Sequence, residues 1–225
     1  MSKKLPQIKS ALLETALTHR SALNEPTSGT SSTVSNERLE FLGDAVLEVV
    51  VTRYLFEQFP KEPEGTLTAF RSALVRTETL ASLAQEFELG ARLYMSHGEE
   101  ASGGRTNLSL LANTFEAVIG ALYLDQGLEA VVKFVQENLL VKLPEIQSKK
   151  LYKDAKSLLQ ETVQALGQPT PEYDVLTAQG MDHAKTFTVV VRVGRQVFGQ
   201  GQGPSKQAAQ QEAASQALAV FEKNK

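Results

Sequence analysis

Cysteine is absent from these 225 residues, which removes disulfide frameworks and thiolate metal sites from consideration. No run approaches the ~20 consecutive apolar residues that a membrane helix needs. The opening Met-Ser-Lys-Lys-Leu-Pro is basic, but no apolar stretch with a small-residue cleavage site follows it as a signal peptide would require. A cytoplasmic protein without membrane association is the expectation. A large excess of one charge is also missing: the formal net charge is −3. Residues 1–150 hold 15 Lys+Arg against 19 Asp+Glu, and residues 151–225 hold 8 against 7. Bulk electrostatics therefore does not announce a nucleic-acid binder, and any such role must rest on individual residues. Internal repeats and low-complexity tracts are lacking too. What is present is ordinary globular composition, 42% hydrophobic and 22% charged, in a chain long for one domain and comfortable for two.

The first ~145 residues show helical spacing almost throughout. A helical stretch is expected around Leu5–Leu23, followed by a polar loop from Asn24 to Ser35. Asn36 is placed to cap the next helix, in which Leu39, Leu42, Val46, Val49 and Val50 recur until Pro60 stops it. Shorter helices are expected over Glu64–Leu74 and Thr77–Glu86, and Gly103-Gly104 marks a loop. Leu108–Asp125 is a strongly apolar helix ended by Gly127, and Leu128–Leu143 is a further helix stopped by Pro144.

The period then changes, after a short polar linker near Glu145–Tyr152. Asp154–Leu166 is helical, with Gly167 and Pro169 as its stop signal. Tyr173 and Val175, then Phe187, Val189, Val191 and Val193, alternate with polar residues as strands do. Gly194-Arg195 reads as a hairpin turn and Gln196–Gly199 as the start of a third strand. A last helix opens at Pro204-Ser205, with Ala209, Ala213, Ala214, Ala217, Leu218 and Phe221 as one apolar stripe. The order is α-β-β-β-α.

The densest chemistry lies in Asn36-Glu37-Arg38-Leu39-Glu40-Phe41-Leu42-Gly43-Asp44. On a helix, Glu37, Glu40 and Asp44 share one face within two turns. Like charges so placed repel, whereas a divalent cation between them would hold them, and hard oxygen donors without His or Cys point to Mg²⁺ or Mn²⁺. Apolar neighbours on nearly every side argue against a solvated acidic face. A second pair, Asn113 and Glu116, lies in the still more apolar run Leu110–Leu124. A carboxylate on a helix that buried invites a partner, so the two helices side by side would gather Glu40, Asp44, Asn113 and Glu116 around one ion. Gly43 costs roughly 1 kcal/mol in a helix interior, which suggests a close neighbour. His19, Ser21 and His97 form no triad and are assigned to structure or loops.

In the second half, Gly201-Gln202-Gly203-Pro204-Ser205-Lys206 reads as a Gly-rich turn, a Ser N-cap and a cation, a phosphate-binding arrangement. Gln160 and Gln164 can offer amides to 2′-hydroxyls in a shallow minor groove. Asp182-His183-Ala184-Lys185 is a polar loop able to reach a second one.

At these residues the chain resembles the bacterial ribonuclease III family. Residues 36–44 match its nuclease signature. Leu17-Thr18-His19-Arg20-Ser21, Glu64-Gly65-Thr66-Leu67-Thr68 and Phe115 to Asp125 agree as well. The last 70 residues resemble its double-stranded-RNA-binding domain, most strongly over Gly180 to Phe187. The resemblance implies an all-α endonuclease domain (1–146), a linker (147–152) and a small α+β double-stranded-RNA-binding domain (153–223). It implies a homodimer in which each of two sites hydrolyses one strand of an RNA duplex, leaving a 5′ phosphate, a 3′ hydroxyl and a short 3′ overhang. Ribosomal RNA precursors, structured messenger RNA and transfer RNA precursors are the implied substrates.

Glu40, Asp44, Asn113 and Glu116 would form the metal set, with Asp44 and Glu116 carrying catalysis. Glu37 and Glu64 match further acidic positions, and Phe41 matches an aromatic at the dimer interface, an intramolecular core Phe being the other reading. Bound Mg²⁺, for which Mn²⁺ can substitute, would activate a water for in-line attack. Gln160, Gln164, His183, Lys185, Ser205 and Lys206 would contact RNA, reading shape over ~16 base pairs. Two departures matter. Asn113 stands where the family frequently has Asp, leaving the site one negative charge short. Gln207, Gln210 and Gln211 occupy a stretch often richer in Lys, so a shallower salt dependence is expected. The competing readings are a non-catalytic duplex-RNA binder of the same fold and a hydrolase of small phosphoesters. The retained Glu40, Asp44 and Glu116 oppose the first, and the C-terminal module opposes the second.

Overall fold

A computed structural model describes residues 3–25, 29–148, 152, 154–180 and 185–223. The chain divides into two compact units, residues 1–152 and 153–225.

The first unit is helical. Its elements are α1 (Ser10–Ala16), α2 (Glu37–Gln58), α3 (Glu64–Val75), α4 (Thr77–Glu86), α5 (Leu89–Arg92), α6 (His97–Ala101), α7 (Leu108–Gln126), α8 (Leu128–Asn138) and α9 (Leu143–Ser148). Helix α7 is the hub: ten of its residues are buried, including Phe115, Ile119 and Leu122, and helices α1, α2, α4 and α8 pack on it. By length and mean hydropathy alone it would pass for a membrane span, but Ser109, Asn113, Thr114, Glu116 and Asp125 interrupt it, so no unbroken apolar run is present. Its burial inside the unit marks it as a core helix. Helix α2 lays Leu39, Gly43, Leu47, Val50, Val51 and Leu55 against the core, a stripe at helical spacing. Each such leucine contributes roughly 1.5–3 kcal/mol by leaving water.

Several expected boundaries give way to tertiary contacts. The helix expected over Leu5–Leu23 is broken: α1 ends at Ala16, and Arg20–Asn24 is a 3₁₀ turn. Between them the backbone of Leu17–His19 pairs with Tyr94, His19 N–H donating to the Tyr94 carbonyl and Tyr94 N–H to that of Leu17. Asn36 does not cap α2 with its side chain. It is buried, and its amide donates instead to the Ala16 carbonyl at 3.3 Å. The helix expected from Leu128 to Leu143 ends at Asn138, followed by a 3₁₀ turn over Leu140–Lys142. Pro144 does not stop it but lies in the first turn of α9, where a missing N–H costs nothing. The short helices α5 and α6 were not anticipated from sequence; Arg105 braces that region by donating to the carbonyls of Gly90 and Leu93.

The second unit is α10 (Ala155–Ala165), β1 (Glu172–Gln179), β2 (Thr186–Val193), β3 (Gln196–Gly203) and α11 (Lys206–Lys223). The strands form an antiparallel sheet in the order β1-β2-β3, joined at Gly194, whose φ of +62° suits the hairpin. Leu159 and Val163 of α10 meet Val189, Val191 and Val193 of β2 and the alanine stripe of α11. Val175 departs from the expected alternation: it is exposed, beside a register shift between Val175 and Thr177.

Candidate active site and nucleic-acid interface

The active-site geometry begins with two glycines. An added Cβ on Gly43 of α2 would land in the Glu116 carbonyl, and one on Gly120 of α7 would land in the Leu39 carbonyl. The helices therefore cross backbone to backbone, and the cost of a glycine inside α2 is offset by that approach. The crossing carries Glu40 and Asp44 beside Asn113 and Glu116.

Crowding of acids shows in their protonation. Glu116 is pushed up to about 7, first by burial, then by the charges of Asp44 and Glu40. Glu40 is raised by burial, then by Glu37, then by Asp44, while the Asn113 amide works the other way. The neutral Asn113 thus moderates the repulsion to which an Asp would add. His19, Arg20, Asn36, Glu37, Glu40, Leu110 and Asn113 line a cleft of about 430 Å³. Glu37 faces it from a different network: its carboxylate accepts from Ser35 Oγ at 2.8 Å and lies 3.6 Å from Arg20.

Hard oxygen donors that repel one another fit a divalent cation held among Glu40, Asp44, Asn113 and Glu116. Among the described residues, however, no three His, Cys, Asp or Glu side chains already stand in an ion-binding group. The donor chemistry fits, and carboxylate rotation would have to close the cage.

Other expected residues lie elsewhere. Glu64 is exposed, accepts from Thr68 at 2.8 Å and lines a separate cavity with Phe56, Leu67 and Arg71. Phe41 is 81% exposed, which rules out the intramolecular core reading. His19, assigned to structure from sequence, lines the cleft beside Glu37 and Glu40. Its Nδ1 accepts from Ser21 N–H at 3.3 Å, and burial lowers its pKa. No motif spacing reveals that placement, because the Tyr94 backbone brings His19 there.

In the second unit, Gln160 and Gln164 are exposed on α10 and Lys206 on α11. Ser205 caps α11, its Oγ accepting from Ala208 N–H at 3.1 Å. Lys185 is partly buried at the entry to β2, and His183 with Asp182 and Ala184 lies outside the described residues. The Gly-rich turn expected over Gly201–Gly203 is instead the end of β3, with Gly201 opposite Val189 and Gly203 opposite Phe187. An added Cβ on Gly201 would strike the backbone of Ala209 and Ala213, and one on Gly203 would strike Ala208 and Ala209. These glycines seat α11 on the sheet. Only Pro204 and Ser205 separate strand from helix.

The ribonuclease-III-like family model matches residues 9–143, and the double-stranded RNA binding motif matches residues 155–220. The chain belongs to the ribonuclease III family. It is 50% identical to Ribonuclease 3 of Roseiflexus sp. over 94% of this chain and 89% of that one. It is 47% identical to Ribonuclease 3 of Nitratiruptor sp. over 93% and 89%. Among solved structures, a nuclease domain of ribonuclease III from Campylobacter jejuni matches with a TM-score of 0.55 and 40% identity. That match covers 61% of this chain and 92% of the other. A second structure of that nuclease domain gives 0.52 and 41%, covering 59% and 85%. Both halves of the family's architecture are therefore present, helical nuclease domain first and RNA-binding motif second.

Proposed function

We propose that this ribonuclease III family member cleaves double-stranded RNA with Mg²⁺ held by Glu40, Asp44, Asn113 and Glu116, leaving 5′-phosphate and 3′-hydroxyl ends with short 3′ overhangs. The chain is a double-strand-specific endoribonuclease, and the reading rests on one observation: the glycine crossing of α2 and α7 sets Glu116, with a carboxyl at about 7, against Asp44 and Glu40. Mg²⁺ held there would supply Lewis acidity toward the phosphate and would acidify a water at neutral pH.

The protein's own groups do the rest. Glu116, once ionised, is the most buried of the anionic donors, and Glu40 and Asn113 hold the cleft wall beside it. Asp44, more exposed than either, faces solvent where a water can be oriented and can accept its proton. Asn113 leaves the site one charge short, so cation affinity is lower than an Asp would give while cutting is retained. Ribosomal RNA precursors and structured messenger and transfer RNA precursors fit a shape-reading duplex nuclease.

A second copy of the chain completes the proposal. Phe41, Val49 and Phe56 are 81%, 58% and 71% exposed and recur at seven- to eight-residue spacing on α2, one face of the helix. Water exposure of two phenylalanines on that face is relieved by pairing with a second α2. One of the C. jejuni nuclease-domain structures is described as structurally flexible in a region involved in dimer formation, and pairing through α2 accords with a nuclease domain that dimerises.

Incubating the protein with a long RNA duplex in Mg²⁺ and in EDTA tests the reading. Metal-dependent fragments bearing 5′ phosphates are expected. Binding without cleavage in saturating Mg²⁺ and Mn²⁺, with cleavage restored by Asn113→Asp, would identify a binder with a degraded site.

A further inference from the structure

We propose that Lys156, on the first turn of α10, is an RNA-phosphate anchor that supplies the cation α11 itself lacks beside Lys206. The inference rests on the duplex-binding reading above and adds a residue to it. In the first two turns of α11, Lys206 is followed by Gln207, Gln210 and Gln211, so that helix offers one ammonium where a phosphate backbone would pass. Lys156 reaches across from α10. Its Nζ donates to Gln210 Oε1 at 2.7 Å and lies 4.9 Å from the centre of the Tyr173 ring. Positions 206 and 210 are one turn apart on one face of α11, ~6 Å along the axis. The borrowed ammonium therefore sits about a turn from Lys206, where a basic side chain at 210 would have put it.

Three further contacts make the placement firm. Gln211 accepts from the Lys156 backbone N–H at 3.3 Å and donates to Asp154 Oδ1 at 3.0 Å, locking α11 to the start of α10. Asp154 caps α10 by accepting from Ser157 N–H at 3.0 Å, which occupies its carboxylate elsewhere. Tyr173 stays a neutral phenol, since burial and then the Asp154 charge push its pKa up to about 12, so its ring offers an undisturbed π face to the ammonium. An ammonium has three donors. One is used by Gln210 and the ring takes one side, which leaves a donor for a phosphate oxygen. Among the described residues no carboxylate forms an ion pair with Lys156. The side chain is held in place without being neutralised, so little rotamer entropy remains to be lost on binding.

The test uses the full chain and a duplex longer than ~16 base pairs in EDTA, so that binding is measured without cutting. Lys156→Met, which keeps the stem over Tyr173, is expected to weaken binding about 5- to 10-fold and to make the slope of log K against log salt shallower by about one unit. Lys206→Met serves as the reference, with a loss of similar kind. Adding Gln210→Lys to Lys156→Met is expected to restore the slope. On the unsubstituted protein, duplex RNA should slow acetylation of Lys156 together with that of Lys206, a readout that does not depend on how any variant folds. A Lys156→Met protein that binds with an unchanged slope, or Lys156 acetylated equally fast with and without duplex while Lys206 is protected, would overturn the assignment and leave the duplex-binding reading intact. Failure of the unsubstituted protein to bind duplex would sink both.

Discussion

Both units bring a helix close by placing glycine against backbone, and they use the proximity in opposite ways. In the first, Gly43 and Gly120 let α2 and α7 cross, and the side chains beside the crossing are acids; burial, then the charges of Asp44 and Glu40, raise Glu116 to about 7. In the second, Gly199, Gly201 and Gly203 lie under Ala209, Ala213 and Ala217 of α11, and the contacts beside that seat are neutral amides. Gln210 and Gln211 tie α11 to α10. Close packing concentrates like charge at the proposed cation site. At the proposed RNA contact, the Gln210 amide beside the packed glycines holds the Lys156 ammonium of α10.

The largest effect expected from this contrast is chemical. Glu116→Gln keeps the size of the side chain and removes its charge; cleavage should fall on the order of 10³-fold, several kcal/mol of lost transition-state stabilisation, while duplex affinity in EDTA holds. Single-turnover cleavage and a binding isotherm check the two halves separately. Next come the crossings themselves. Gly43→Ala should cost about 3 kcal/mol by overpacking, lowering the first unit's melting temperature by about 10 °C. Gly201→Ala should do the same to the second unit alone and remove duplex binding. Gly65→Ala is the control: open space surrounds that position, and the helix should gain up to ~1 kcal/mol. If Gly43→Ala melts like Gly65→Ala, the crossing is not as tight as described.

Smaller effects sharpen the electrostatic half. Asn113→Asp should raise Mg²⁺ affinity by about 10-fold, roughly one added charge at short range in a partly hydrated site, measured by metal titration of cleavage rate. A protein without metal should also show the burial of Glu116 among like charges in its stability. Glu116 has a folded-state pKa of about 7 against 4.5, so the folded chain holds the extra proton between those values. Stability then falls as pH rises through that window. Differential scanning calorimetry in EDTA should show Glu116→Gln melting several degrees above the unsubstituted protein at pH 8, and no such gap near pH 4.

Much of this was legible in sequence, for identifiable reasons. Thr77–Glu86 and the end of the hub helix at Gly127 coincide with the structure because local signals decide them. The signature around Glu40 announced an acidic site, and the glycine within it announced a close neighbour. Elsewhere distant contacts overrode local ones. Asn36 reads as a cap but is claimed by the Ala16 carbonyl. Gly201–Gly203 reads as a turn because nothing local reveals the alanines above it. His19 reaches the cleft through backbone pairing with Tyr94, and Lys156 reaches α11 through Gln210, both beyond any spacing rule.

The most direct test of the central claim, that crossed helices gather acids to hold a divalent ion, is calorimetric titration of the RNA-free protein with Mn²⁺ in buffers of different ionisation enthalpy, near pH 6 and near pH 8. The account predicts binding with proton release near pH 6, tighter binding near pH 8, and loss of both binding and released proton in Glu116→Gln. Equal Mn²⁺ affinity at the two pH values, unchanged by Glu116→Gln, would contradict it.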